Sequence, residues 1–231
     1  MGRRKHGAVI WAAVGSRCHA VTGAYSSSQS LARQAQPRVR QKSPPMAQHI
    51  CPPWVGYFLA SPLRRLVHKP EQILAGLITP GMTVLDVGSG MGFFTLPMAR
   101  MAGPNGKVVC VEVQEAMLRS LRKRAQAAGL ADRIIPRVCP PTSLGLGEFA
   151  GRIDFALAFA VVHETPDVRN FFAEVVQVFK PGAQCLVAEP KKRVSAQGFE
   201  ESLQAARQAG LIVAGRPEVR QCYAALLRKE H

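Results

Sequence analysis

Short β-branched apolar runs alternate with amphipathic stretches from residue 83 onward, and this alternation constrains the chain more than any other feature. Thr83 to Val87 reads as a buried, β-branched strand, and Val108 to Val113, Arg133 to Cys139, Ile153 to Phe159 and Ala183 to Ala188 read as further strands. Helices are expected between them: Phe93 to Met101, Gln114 to Ala128, and one opening at Thr165-Pro166 whose inner face holds Val168, Phe171, Phe172, Val175 and Phe179. A further helix is expected from Ser195 to Ala209, and a shorter one from Glu71 to Ile78. Short connections between such elements imply a parallel sheet covered on both faces. Leu211 to Ala214 and Cys222 to Leu227 follow as strands with no helix between them, so they are expected to be antiparallel at one edge. The fold class is therefore α/β: a Rossmann-like, doubly wound, mostly parallel seven-stranded sheet with an antiparallel C-terminal hairpin strand.

In an open sheet of this kind ligands bind beyond the carboxyl ends of the strands. The first strand runs into Asp86-Val87-Gly88-Ser89-Gly90-Met91-Gly92. Glycines there let the backbone turn tightly and approach a ligand. The spacing is G-x-G-x-G, and Phe93 stands where the dinucleotide fingerprint has its third glycine, which weakens a nicotinamide-dinucleotide reading. The second strand ends on an acid, Glu112.

With these residues in place, the chain resembles the class I S-adenosylmethionine-dependent methyltransferases. Leu85 to Gly92 matches that family's first motif, and the resemblance covers about residues 70–230. It is most similar to the small-molecule branch related to ubiquinone/menaquinone methyltransferases, through Val161-Val162-His163-Glu164, the Asp167 helix, Lys180-Pro181-Gly182 and Ala188-Glu189-Pro190. The resemblance implies S-adenosyl-L-methionine as cofactor. It places Glu112 on the ribose hydroxyls, where a carboxylate offers two acceptor oxygens to two donors. It puts Asp86 toward the methionine end, and Gly88, Ser89, Gly90 and Gly92 along the cofactor. Val113, Gln114, Met117 and Phe159 belong to the same cofactor-binding set. Relatives often carry an Asp after the third strand for the adenine; this chain has Cys139-Pro140-Pro141-Thr142-Ser143, so Thr142, Ser143 or backbone groups must serve.

On the acceptor side, His163 is the candidate base. Trp54, Tyr57 and Phe58 are candidates for a lid that excludes water over a small-molecule methyl acceptor. Lys191-Lys192-Arg193 is either a solvated loop or a hold for an anionic group. No aromatic-plus-proline motif follows the fourth strand, which argues against an adenine or cytosine acceptor. His49 and Cys51 are too few for a metal site, and none is expected.

Charge bears on the remaining alternatives. The chain carries 30 Lys+Arg against 15 Asp+Glu, a net +15, but residues 1–45 alone hold eight basic residues and no acid. That leaves 22 basic against 15 acidic residues beyond them. The organisation expected is a disordered basic leader (1–45), a helical lid (46–69) and the S-adenosylmethionine-binding domain (70–231). The leader is either untranslated, with a start at Met46, or a targeting segment; the location is cytoplasmic unless the leader targets an organelle or export. An RNA-directed methyltransferase, or a basic nucleic-acid-binding protein, is the main alternative, and a dinucleotide-dependent oxidoreductase the next. A protein that binds the cofactor without turnover is a further one. The six cysteines form no CxxC pair, and Cys51 with Cys139 raises thiol-assisted methylation of a metalloid as a minor idea. No run approaches the roughly 18 apolar residues of a membrane span.

Overall fold

The structure, a computed structural model, describes residues 67–230. The expected leader and nearly all of the expected lid, with Trp54, Tyr57 and Phe58, lie outside the described residues.

Seven strands form one sheet: β1 (Thr83–Val87), β2 (Lys107–Glu112), β3 (Ile134–Val138), β4 (Ile153–Phe159), β5 (Phe179–Pro190), β6 (Leu211–Gly215) and β7 (Cys222–Lys229). Their order is β3-β2-β1-β4-β5-β7-β6. The first five are parallel, and β7 lies between β5 and β6, antiparallel to both. The edge hairpin expected from the sequence is therefore present, with its second strand on the inside.

Alternate residues of each strand enter different layers. Val84 and Phe155 pack on one face with Leu74, Met98, Leu118 and Leu121. These come from the segment after α1 (Pro70–Ile73), from α2 (Thr95–Met101) and from α3 (Glu115–Ala127). Leu85 and Ala156 pack on the other with Phe171, Phe172, Phe199 and Leu203. Those side chains belong to α4 (Val168–Val178) and α5 (Ala196–Gln208). A two-residue period sandwiched between 3.6-residue periods is thus satisfied on both sides.

Several boundaries differ from the sequence expectation, each for a local reason. Helix α2 starts at Thr95, not Phe93, which places Pro97 in the first turn, where its missing N–H is not needed. The first helix closes after Ile73, and Gly76 then takes a left-handed φ of 75°. Helix α4 is capped by Asp167, whose side chain accepts from the amides of Arg169 and Asn170, while the Thr165 hydroxyl donates to Val162 O instead. Phe179 is not on that helix. It opens β5: Pro181 drives the preceding Lys180 out of the helical region, so the helix stops short of it, and Pro181-Gly182 then lies inside an irregular strand start opposite β4.

Candidate functional site

The glycine turn after β1 is tied to β2. Gly88 N and Ser89 N both donate to Val111 O, at 3.0 and 3.1 Å. Gly88, Gly90 and Gly92 all have positive φ, which L side chains rarely adopt. The three do different things. A β-carbon on Gly88 would sit 2.8 Å from Val161 Cγ2, so the turn packs directly on the segment after β4. A β-carbon on Gly90 would meet only Met117 Sδ, at 3.9 Å, leaving an open approach there. Gly92 lies against Leu121 of α3 and serves helix packing. Ser89 Oγ is buried without a hydrogen bond of normal geometry. Asp86, buried on β1, accepts from the Thr95 hydroxyl at 2.5 Å.

At the end of β2, Glu112 is buried and holds the turn. Its Oε2 accepts from Gly90 N and its Oε1 from Gln114 N, each at 3.0 Å. Burial pushes its carboxyl above the ordinary range, opposed by the amide hydrogen bonds from Gln114 and Gly90. The Val113 amide also faces this carboxylate, which has about four acceptor positions and so keeps capacity for an external donor. Val113 follows with 36% of its surface exposed, and Val138, at the end of β3, with 51%. These two exposed apolar side chains stand at the carboxyl ends of neighbouring strands. Cys139 N donates to Glu112 O at 3.1 Å, so the Cys139 thiol, raised to about 11 chiefly by burial, borders the same rim. The Thr142 side chain is exposed, and its carbonyl accepts from Asn170.

Beyond β4 the backbone turns at Ala160, a non-glycine residue with φ 57°. A short 3-10 turn, Val162–Glu164, then presents His163. The His163 Nδ1 meets Glu189 Oε2 at the end of β5, and that contact raises the imidazole pKa above its ordinary value against the opposing effect of burial. Its Nε2 lies 4.0 Å from Glu164 Oε1. Burial raises the Glu164 carboxyl, the His163 charge lowers it, and the charge of Glu112 raises it further, so the ends of β2 and β4 act on one another electrostatically.

Of the residues singled out from sequence, the glycine turn, Glu112, Val113, Gln114 and Met117 come together around one rim, with His163 across the turn from them. The ring of Phe159, at the end of β4, packs on Phe94 at 4.6 Å and on His68 at 5.0 Å. Thr95, Val161 and Glu189 are structural partners that sequence reasoning did not assign. Glu189 had a visible signal, an acid closing an apolar strand. Thr95 and Val161 had none, because their contacts are made between elements. Among the described residues no group of three or more His, Cys, Asp or Glu could hold a metal ion. No described helix is long and apolar enough to cross a membrane.

A family model described as "Methyltransferase domain" matches residues 78–223. The ubiquinone/menaquinone biosynthesis C-methyltransferase of Bordetella parapertussis is 35% identical over 125 residues, covering 53% of this chain and 46% of that protein. An arsenite methyltransferase of Halobacterium salinarum is 27% identical over 48% of this chain and 28% of that protein. The chain thus spans about half, or less, of the length of these curated relatives. A solved S-adenosylmethionine-dependent methyltransferase from Aquifex aeolicus superposes with a TM-score of 0.67 at 28% identity, covering 76% of this chain and 97% of that one.

Proposed function

The chain belongs to the class I S-adenosylmethionine-dependent methyltransferases, and from that premise we propose that it methylates a small molecule held between the glycine turn and the His163 turn. S-adenosylmethionine, when bound, supplies an electrophilic methyl carbon and leaves as a neutral thioether, its sulfur keeping the bond pair. The residues present fit it. Glu112 keeps acceptor capacity for the ribose, Val113 and Val138 offer an apolar face for the adenine, and the buried Ser89 hydroxyl and the open approach at Gly90 lie along the turn. Asp86 lies at the methionine end.

The acceptor reading is carried by the segment after β4. Phe159-Ala160-Val161-Val162-His163-Glu164 has no aromatic-plus-proline pair for gripping a nucleobase, and it offers instead one imidazole, 21% exposed, backed by a buried acid. Similarity to quinone C-methyltransferases supports the same reading. Alignment of acceptor and methyl carbon supplies much of the rate in such a site, with a base needed only where the acceptor sheds a proton.

The test is calorimetry on the full chain with S-adenosylhomocysteine, and NAD as control, followed by methyl transfer from labelled donor. Three acceptors are compared: 1,4-naphthoquinol, arsenite with glutathione, and bulk tRNA. Transfer to the naphthoquinol or to arsenite supports a small-molecule acceptor. Transfer to tRNA alone would replace this reading with the RNA-directed one.

A further inference from the structure

Glu189 is an acid where the fold gives it no reason to be one. It follows Leu186, Val187 and Ala188, all fully buried, and is itself only 1% exposed. A carboxylate in that position is costly unless its oxygens are satisfied. The partners come from one stretch of three residues. Oε1 accepts from Val161 N at 3.1 Å and from Val162 N at 2.8 Å, and Oε2 meets His163 Nδ1. Among the described residues no Lys or Arg pairs with it.

The convergence is arranged at a cost. Ala160 adopts a left-handed φ, and its N–H donates to Ala188 O at 2.7 Å, which docks the chain on β5 and turns the next two amides onto the acid. Such a conformation in a non-glycine residue is strained and persists where its surroundings require it. Val161 also packs on Gly88, so the turn that carries His163 is held from the cofactor side as well.

We infer that Glu189 is a positioning residue for His163: it holds the imidazole as the Nδ1–H tautomer and leaves the Nε2 lone pair facing the acceptor. The inference rests on the reading of the β4 and β5 ends as the acceptor side. It deepens that reading by naming the acceptor class: a molecule that must lose a proton as it is methylated, such as a hydroxyl, an amine or an acidic ring C–H. The acceptor's electron pair forms the bond to carbon, its proton passes to Nε2, and the resulting imidazolium is balanced by Glu189 rather than by water. Groups around His163 that bear charge are Glu189 from β5, Glu164 on the same turn, Arg193 after β5 and, beyond Glu164, Glu112.

The deciding experiment is long-range ¹⁵N–¹H spectroscopy of the full chain labelled at histidine, titrated with pH, for wild type, E189Q, E189D and H163Q, the last to assign the signal. The expected wild-type result is a neutral His163 protonated at Nδ1, with a midpoint above the usual 6.5. In E189Q the side-chain oxygen can still accept from Val161 and Val162, but its NH₂ then faces Nδ1. The neutral ring must therefore switch to Nε2–H, and its midpoint falls by about one unit, a tenfold loss of proton affinity. E189D keeps the wild-type tautomer, and reports on the acid if E189Q does not fold. A neutral wild-type ring that carries its proton on Nε2, or an unmoved tautomer and midpoint in E189Q, overturns the inference. Calorimetry with S-adenosylhomocysteine on E189Q separates the two readings: binding should be unchanged, and failure of wild type to bind would instead sink the proposed function.

Discussion

Glu112 Oε2 accepts from the Gly90 amide at 3.0 Å, so the acid that closes β2 also sets the shape of the glycine turn after β1. One side chain thereby ties the glycine turn after β1 to the start of the helix after β2.

Replacing Glu112 with Ala should do two things at once. Affinity for S-adenosylhomocysteine should fall by about 1.5–3 kcal/mol, the loss of a charge-assisted hydrogen bond. The Gly90 and Gln114 amides also lose their acceptor, so the melting temperature should fall even without ligand. Calorimetry and thermal denaturation read the two effects separately. An affinity equal to wild type would mean that the ribose is held elsewhere.

The glycines of the turn should not be interchangeable. Alanine at Gly90 meets only Met117 Sδ, and its cost is mainly that of a left-handed backbone, about 1–2 kcal/mol. Alanine at Gly88 carries the same cost and also drives a β-carbon to 2.8 Å from Val161. Gly88→Ala should therefore be the less stable of the two in urea, and should disturb the His163 signals that Gly90→Ala leaves in place. Equal midpoints for the two variants would contradict the packing described.

His163 should make stability depend on pH. Its folded pKa lies above the unfolded value near 6.5, chiefly through the Glu189 hydrogen bond. The folded state therefore binds the proton more tightly. The stabilisation is fully present below about pH 6.5 and is lost as pH rises through the raised folded value. The difference in stability between wild type and His163→Gln should shrink across that window. A difference that stays flat from about pH 5 to 9 would show that the ring carries no extra proton affinity in the fold.

The core thiols should be inert. Burial pushes Cys110 and Cys185 to about 12, with the Asp86 charge adding to the effect at Cys110. At pH 8 on the order of one molecule in ten thousand carries either thiolate. Iodoacetamide should leave both unlabelled in the native protein and label both in guanidinium, as read by peptide mass spectrometry. Rapid native labelling of Cys185 would mean that the sheet opens far more readily than its packing implies.

The sheet and the rim around Glu112 were legible because their causes are local. Apolar strand runs, glycines at a strand end and an acid closing a strand can all be read in a window of a few residues. The same rule, applied to β5, points to Glu189, but its three partners come from a turn more than twenty residues earlier, and only tertiary packing brings them together. Phe159 shows a different limit. It sits at a strand end, and its ring packs on Phe94, a contact that strand position alone does not report. The start of β5 at Phe179 was hidden for a third reason: an apolar residue one turn past Val175 fits a helical face until Pro181 is allowed to act backward on the chain.

The placement of β7 between β5 and β6 has a consequence for biogenesis. A ribosome makes β6 before β7, yet β6 touches the sheet only through β7. As the chain emerges, β5 waits as an open edge and β6 has nowhere to dock, so the order of synthesis and the order of assembly are inverted at this side of the molecule. Unpaired strand edges of that kind invite pairing with other chains. The nascent protein is therefore most exposed to aggregation, and most in need of a chaperone, in the interval between the completion of α5 and the arrival of residues 222–229.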